Sequence, residues 1–297
     1  MGIKAIASDL DGTLLDASGN IDRDRFSAVL DELDRRGIRF VAATGNSMNR
    51  IGMIFDGFTD RISYVAENGA YVLDQNEVIA HKMIAHSDAL AFLDYFRDKW
   101  EDYRITVTYE DAIYMVSDQF GVDAFSRIAP EQMALFQSRI RKIDDFAQLP
   151  EGTIMKLGMI LPEAECDAIM TDFNHHFSGN LIATTSGYGA VDIMPKGVHK
   201  AWGLEQLLSR WGIAASEVMA FGDGGNDYEM LQLAQYSYAM DNAPDFVKAA
   251  AKHVAPNHDK HGVLTIIEQF LKGEIHDDGG EVIYPSRGES LSPAELV

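Results

Sequence analysis

Short apolar runs that break off into polar, glycine-containing loops recur along the chain, and between several of them apolar positions return every three or four residues. Ile3 to Ala7 is such a run, ending in Ser8-Asp9-Leu10-Asp11-Gly12-Thr13, the pattern of a buried strand emptying into a loop. Phe26, Val29, Leu30 and Leu33 then predict a helix over 24–36, with Gly37 as its stop, and Ile38 to Ala43 form a second strand that ends in Thr44-Gly45-Asn46. A strand, a helix and a second strand in this order predict a parallel crossover, hence an α/β sheet covered by helices. Ser63 to Ala66 repeats the pattern and ends in Glu67-Asn68-Gly69. Val218 to Phe221 repeats it again and ends in Gly222-Asp223-Gly224-Gly225-Asn226-Asp227. A helix over 228–234, a strand over 236–240 and a closing helix over 263–271 follow. Loops at the ends of such strands are where open parallel sheets bind ligands.

The middle of the chain has a different rhythm. A helix over 87–100 precedes two alternating segments, 104–109 and 112–117, that predict an antiparallel hairpin. A helix over 130–141, a strand over 155–161, a helix over 162–177 and strands over 181–185 and 190–193 complete it. This predicts an α+β unit, 85–191, inserted between core segments 1–84 and 192–271. The tail, 272–297, is polar and without period, which is the pattern of a loose terminus. No internal repeat is present.

Composition narrows the function. The chain has 297 residues, 46% hydrophobic and 24% charged, enough for two cores of ordinary size. Lysine and arginine number 25 against 46 acidic residues, so the net charge is 25 − 46 = −21. Nucleic acid and anionic membrane, which need clustered cations, are not expected partners. Cys166 is the single cysteine, so no intrachain disulfide forms. The early acids after Met1 predict no signal peptide, and no apolar run approaches a membrane span, so a cytoplasmic home is expected. An acidic chain that binds a small anion must bring local cations or a metal.

Asp9 and Asp11 stand two apart at a strand end, so an extended backbone points both carboxylates to one side. One can serve as nucleophile or metal ligand while the other donates and accepts a proton; the alternative is an Asx-rich turn that caps the next helix. Asp223 and Asp227, among glycines, offer oxygen ligands of the kind Mg2+ takes, or a glycine turn. Lys196 and Lys200 precede a helix over 201–210. With Asp9 and Asp223 contributing −2, a phosphate monoester about −2 and Mg2+ only +2, the site needs one more cation. A unit pair at about 4 Å is worth roughly 4 kcal/mol at an effective dielectric of about 20. Thr44, Gly45 and Asn46 can grip phosphate oxygens through a hydroxyl and backbone N–H groups, and Ser47 or Asn46 can equally cap the helix that follows.

Asp9-x-Asp11-Gly12-Thr13, Thr44-Gly45-Asn46, Lys200 and Gly222-Asp223-Gly224-Gly225-Asn226-Asp227 resemble, in order, the four motifs of the haloacid dehalogenase superfamily. The insert after Glu67-Asn68-Gly69-Ala70 and before the lysine resembles the Cof-type subfamily, and within it the YbiV-like sugar phosphatases, over about 3–271. The resemblance implies a Rossmann-like core with a parallel sheet and an α+β cap of C2B type. It implies a magnesium-dependent phosphatase acting on small phosphate monoesters, among them sugar phosphates. Asp9 is then the nucleophile that forms an aspartyl phosphate, and Asp11 the acid and base. Lys200 orients Asp9 and neutralises phosphate charge. Thr44, Gly45, Asn46 and Asn226 contact the substrate. Asp9, the backbone carbonyl of Asp11, Asp223 and Asp227 make or support the metal shell. Lys200 is preferred to Lys196 because it stands where the helix begins. Many relatives carry arginine after the Thr-Gly pair, where this chain has neutral Asn46, so that arginine's contact does not carry over.

A phosphosugar mutase shares the aspartyl phosphate, and a non-catalytic phosphosugar-binding regulator or a receiver-like phospho-acceptor shares the binding groups. Asp11 and the large insert argue against the last two. His253, His258 and His261 have zinc-like spacing but no cysteine nearby, and His175-His176 reads as a solvated helix end. Phe92, Tyr95 and Phe96 read as helix packing. Thr185 to Gly189, which leads back toward the core, is either a substrate-selecting loop or a plain hairpin turn. No feature assigns an oligomeric state.

Overall fold

The apolar runs pair into one sheet, as their loops imply. In the computed structural model, which describes residues 2–116, 134, 137–187 and 189–275, the strands are β1 (Ala5–Ser8), β2 (Arg39–Ala43), β3 (Ser63–Ala66), β4 (Tyr71–Asp74) and β5 (Glu77–His81). An inserted group follows: β6 (Thr106–Thr108), β7 (Ile113–Met115), β8 (Ile140–Lys142), β9 (Lys156–Ile160), β10 (Leu181–Gly187) and β11 (Ala190–Pro195). The chain then returns with β12 (Val218–Gly222), β13 (Tyr236–Met240) and β14 (His253–Ala255). The first sheet has eight strands in the order β14-β13-β12-β1-β2-β3-β4-β5 and the second six in the order β10-β11-β9-β6-β7-β8. From β14 through β3 the first sheet is parallel, and only the β4–β5 edge is antiparallel.

Helices cover both faces of the first sheet, because its central strands are apolar on both sides. The α1 helix (Arg23–Arg36) presents Phe26, Val29, Leu30 and Leu33 to Ile6, Phe40 and Phe221 and ends at Gly37, whose φ of +69° a side chain would resist. The short α2 helix (Met48–Ile54) follows β2. In the insert, α3 (His86–Tyr95) and α4 (Glu163–His176) pack Phe92 and Phe173 against Val107, Leu157, Val191 and Ile193 to form a second core. Back in the first unit, α5 (Lys200–Trp211), α6 (Tyr228–Leu233) and α7 (Asp245–Ala250) cover the opposite face through Leu204, Leu207, Met230 and Val247. The final helix, α8 (Gly262–Leu271), lies beside α1. Successive strand residues point to opposite faces. Leu157 and Val191 therefore enter the second core, while Lys156 and Asp192 point the other way, toward the first sheet.

The structure shifts the expected boundaries. Pairing of β11 with β9 and β10 carries the insert to Pro195, so a division at 191/192 would cut a hydrogen-bonded strand. At the other end Ile84 already bridges Ile154 and packs in the second core. Residues 140–142 form β8, parallel to β7, where a helix was expected to run to 141. Residues 134 and 137–139 are helical, and 117–133 and 135–136 lie outside the described residues. Of the tail, 276–297 lies outside them as well, while Ile275 packs in the first core. Among the described residues no helix is long and apolar enough to cross a membrane.

Candidate active site

Parallel pairing of β1 with β12 sets the ends of two apolar runs side by side, with Ser8 in register with Phe221 and the Asp9 N–H donating to the Phe221 carbonyl at 3.0 Å. Asp9 continues the extended backbone of β1 (φ −64°, ψ 167°). The chain then turns at Gly12, where φ is +77° and a Cβ would run into the Asp223 carboxylate. Glycine is required there on both counts. Its neighbour Thr13 donates to Asp223 Oδ1 at 3.0 Å, tying the two loops together.

Lys200 is the first residue of α5, whose N-cap is His199, with Nδ1 accepting the Trp202 N–H. Its ammonium is fully buried and donates to Asp9 Oδ1 at 2.6 Å and Asp227 Oδ1 at 2.7 Å. A buried cation at the positive end of a helix needs such partners, because neither water nor the helix dipole favours it there. Lys196 is exposed. Asp227 Oδ2 accepts the N–H groups of Asp223 and Gly224, each at 2.9 Å, so this carboxylate also shapes the loop that carries Asp223.

Asp9, Asp223 and Asp227 each offer an oxygen, and these atoms lie within 4.8 Å of one another. Burial pushes the Asp9 carboxyl well above the usual range, against the pull of Lys200 and with the added repulsion of Asp227 and Asp223. Burial and then the charge of Asp227 push Asp223 up to about 7. Three oxygens so close, with a single lysine between them, are short of positive charge, and hard oxygen donors at this spacing suit a divalent cation.

Asp11 is absent from that carboxylate cluster. Its side chain turns to Arg50, which donates to Oδ1 at 2.6 Å and Oδ2 at 2.8 Å, and to Asn46, whose Nδ2 donates to Oδ2 at 2.7 Å. Burial raises the Asp11 carboxyl, but the charge of Arg50 and these hydrogen bonds outweigh it and leave the group below its ordinary value. Any metal contact from Asp11 is thus left to its backbone carbonyl. Thr44 is buried and accepts from Asn46 N at 3.1 Å and Nδ2 at 2.8 Å. Ser47 holds the N-cap position of α2 without a side-chain cap bond, so the capping reading of this segment is not the arrangement found.

Asn226 donates to Asn68 Oδ1 at 2.9 Å, and Asn68 donates to Asp192 Oδ2 at 2.6 Å. From the second sheet Lys156 donates to the Gly45 carbonyl at 3.1 Å and pairs with Asp192 at 2.7 Å. A buried polar seam therefore joins the insert to the Thr44–Asn46 loop. A Cβ on Gly45 would stand 3.1–3.2 Å from Asn68 and Asp192, so the seam closes tightly on that glycine. Thr185 on β10 also reaches the Asp223–Asp227 loop, its Cγ2 being 3.7 Å from where a Gly225 Cβ would stand; Tyr188, in the same segment, lies outside the described residues.

Arg50, Asn68, Lys156 and Asp192 were not singled out from the sequence. Arg50 stands one helical turn beyond Asn46, a spacing that was open to inspection. Lys156 and Asp192 are charged residues beside or within apolar strand runs, and period-2 alternation marks such residues as facing away from their own core. His258 is buried, with Nδ1 at 2.8 Å from the Leu15 carbonyl, and His253, His258 and His261 form no candidate metal cluster among the described residues.

Comparison with known proteins now adds the family. The family described as haloacid dehalogenase-like hydrolase matches residues 6–267, and the chain belongs to it. The chain is 33% identical over 278 residues to the 5-amino-6-(5-phospho-D-ribitylamino)uracil phosphatase YbjI of Escherichia coli, covering 94% of this chain and 100% of that protein. It is 25% identical over 292 residues to YwtE of Bacillus subtilis, which bears the same phosphatase name, covering 92% and 99%. The crystal structure of SMU.1108c from Streptococcus mutans superposes with a TM-score of 0.81 at 35% identity, covering 91% of this chain and 100% of that one. These matches bear out the resemblance, the α/β fold with its parallel-rich sheet and the hydrolase class drawn from the four motifs.

Proposed function

We propose that the chain is a magnesium-dependent phosphatase that hydrolyses small phosphate monoesters, sugar phosphates among them, with Asp9 as nucleophile and Asp11 as acid and base. The observation that carries this reading is the buried Lys200 ammonium held between Asp9 and Asp227, two members of the carboxylate cluster that Asp223 completes. Such a lysine fixes one oxygen of Asp9 and stays charged, because the field of Asp227 and Asp9 outweighs its desolvation. Mg2+ would be held by Asp9, Asp223, Asp227 and the Asp11 carbonyl, and when bound it offsets the charge of the phosphoryl oxygens beside these carboxylates.

The substrate phosphate is gripped by Thr44 and the N–H groups around Gly45 and Asn46. The free oxygen of Asp9 attacks phosphorus, the P–O bond to the alcohol breaks, and the departing oxygen takes a proton from Asp11, which acquires it when the phosphate dianion arrives beside it and offsets the pull of Arg50. Water then attacks the aspartyl phosphate, Asp11 takes its proton, and phosphate leaves with Asp9 restored. Asn226 acts on this site through Asn68. The inserted sheet serves as a cap whose polar face, with Lys156 and Asp192, excludes bulk water and meets the hydroxyls of the leaving alcohol.

The test is phosphate release from p-nitrophenyl phosphate and a panel of sugar phosphates, to which the named activity of the relatives adds 5-amino-6-(5-phospho-D-ribitylamino)uracil. Turnover should vanish with EDTA and fall by at least about 10²-fold in Asp9→Asn and, with sugar phosphates, in Asp11→Asn. Turnover that survives in Asp9→Asn overturns the reading. Turnover that requires a bisphosphate activator and yields an isomeric sugar phosphate identifies a mutase instead.

A further inference from the structure

Arg50 lies outside the four motifs, yet it makes the most ordered contact that Asp11 has. Its two terminal nitrogens meet the two oxygens of that carboxylate at 2.6 and 2.8 Å, and Nη1 also donates to Asn46 Oδ1 at 2.5 Å. Asn46 in turn donates to Asp11 and to Thr44. These bonds form a closed circuit from the phosphate-binding loop, through one turn of α2, to the proton-exchanging carboxylate. A planar fork on a carboxylate fixes its plane as well as its position, which a lysine or a single hydrogen bond cannot do. The Arg50 side chain is 16% exposed against 37% for Asp11, so the guanidinium backs the carboxylate from the protein side.

We infer that Arg50 is a positioning residue for Asp11, fixing the place and plane of its carboxylate from one helical turn beyond Asn46. The inference rests on the proposed roles of Asp9 and Asp11. In the first step the Asp9 oxygen bonds to phosphorus, and the electron pair of the breaking ester bond goes to the leaving oxygen. An alkoxide leaving group must receive the Asp11 proton in that step; a nitrophenolate leaves without it. Misplacing Asp11 therefore slows one class of ester and spares the other, whereas a defect in folding or phosphate binding slows both.

The experiment measures kcat/KM, which reports the steps through cleavage of the ester bond, for a sugar phosphate and for p-nitrophenyl phosphate with the full chain and saturating Mg2+. In Arg50→Ala the sugar phosphate value should fall on the order of 10²-fold, the loss a misplacement of about 1 Å brings, while the aryl value falls only severalfold. Arg50→Lys should show the same split despite its charge, because it lacks the fork. Arg50→Gln, milder for packing, should show it to a smaller degree. Millimolar guanidinium should restore part of the sugar phosphate activity of Arg50→Ala, and Arg50→Ala should add nothing to Asp11→Asn. Equal losses for the two esters, or a loss that multiplies with that of Asp11→Asn, overturns the role of Arg50. Turnover in Asp9→Asn would instead overturn the phosphatase reading beneath it, so the two failures are told apart.

Discussion

At the residue scale the site is a contest between burial and charge. Asp9 and Asp223 sit above their ordinary carboxyl values, Asp223 at about 7, because burial and the neighbouring acids outweigh the single ammonium of Lys200. A carboxylate whose folded value lies above its unfolded one holds more protons when folded. The metal-free protein therefore loses stability as pH rises from the unfolded value of about 4 to about 7, the sign required by linkage. A divalent cation takes the place of those protons. The rise in melting temperature on adding a fixed Mg2+ concentration should accordingly grow with pH across that window and level off above it, and Asp223→Asn should remove most of it. Thermal melts from pH 5 to about 8.5 check this; a rise that is flat with pH, or intact in Asp223→Asn, contradicts it. Much of this site was legible in the chain, since Asp9, Thr44 and Asp223 stand where apolar runs end, and a parallel sheet gathers such ends. Arg50, Lys156 and Asp192 were not, because they arrive from inside a helix or from the second sheet, and only packing brings them to Asp11, Gly45 and Asn68.

At the element scale, the position of Lys200 depends on how closely α5 lies on the first sheet. Gly203, one turn along that helix, is the contact point: a Cβ there would meet Val65 Cγ1 at 2.5 Å and the Gly69 backbone at 3.1 Å. Gly69 is itself pressed on the His199 carbonyl with φ +104°, so the floor beneath the helix cannot retreat. Helix propensity alone predicts that Gly203→Ala gains about 1 kcal/mol. Overpacking against the Val65 side chain and the Gly69 backbone costs about 1–3 kcal/mol, and the second effect should win. Gly203→Ala should lower the urea midpoint and, by lifting Lys200 from Asp9, lower kcat; a more stable variant with full activity contradicts this packing argument. The helix itself was expected over 201–210, and the strands over 63–66 and 236–240 agree to the residue, because their apolar patterns are strong and their loops abrupt. The β4–β5 hairpin, α7 and β14 went unread. They are short or lie at the sheet's edges, where partly exposed strands such as β5 carry a weak pattern and neighbours decide the structure.

At the scale of the whole molecule, a chain of net charge −21 must attract a phosphate dianion. Among the described residues the cations around the proposed site are few and deep: Lys200 is fully buried, and Lys156 and Arg50 are each already paired with a carboxylate. Their attraction acts at contact, while the excess of acids acts at range. The screening length falls from about 30 Å at 0.01 M salt to about 8 Å at 0.15 M, so added salt removes the repulsion that the approaching dianion meets and leaves the buried contacts largely intact. The kcat/KM for a sugar phosphate should therefore rise severalfold between those salt concentrations at constant free Mg2+, the reverse of the slowing seen where a site steers its anionic substrate. A neutral inhibitor of similar shape should show no such slope. Measurement in KCl and again in potassium glutamate separates screening from chloride competing at the phosphate loop. A steady fall in both salts would mean that the local field of Lys200, Lys156 and Arg50 governs approach, and that the acids are placed where the substrate does not feel them.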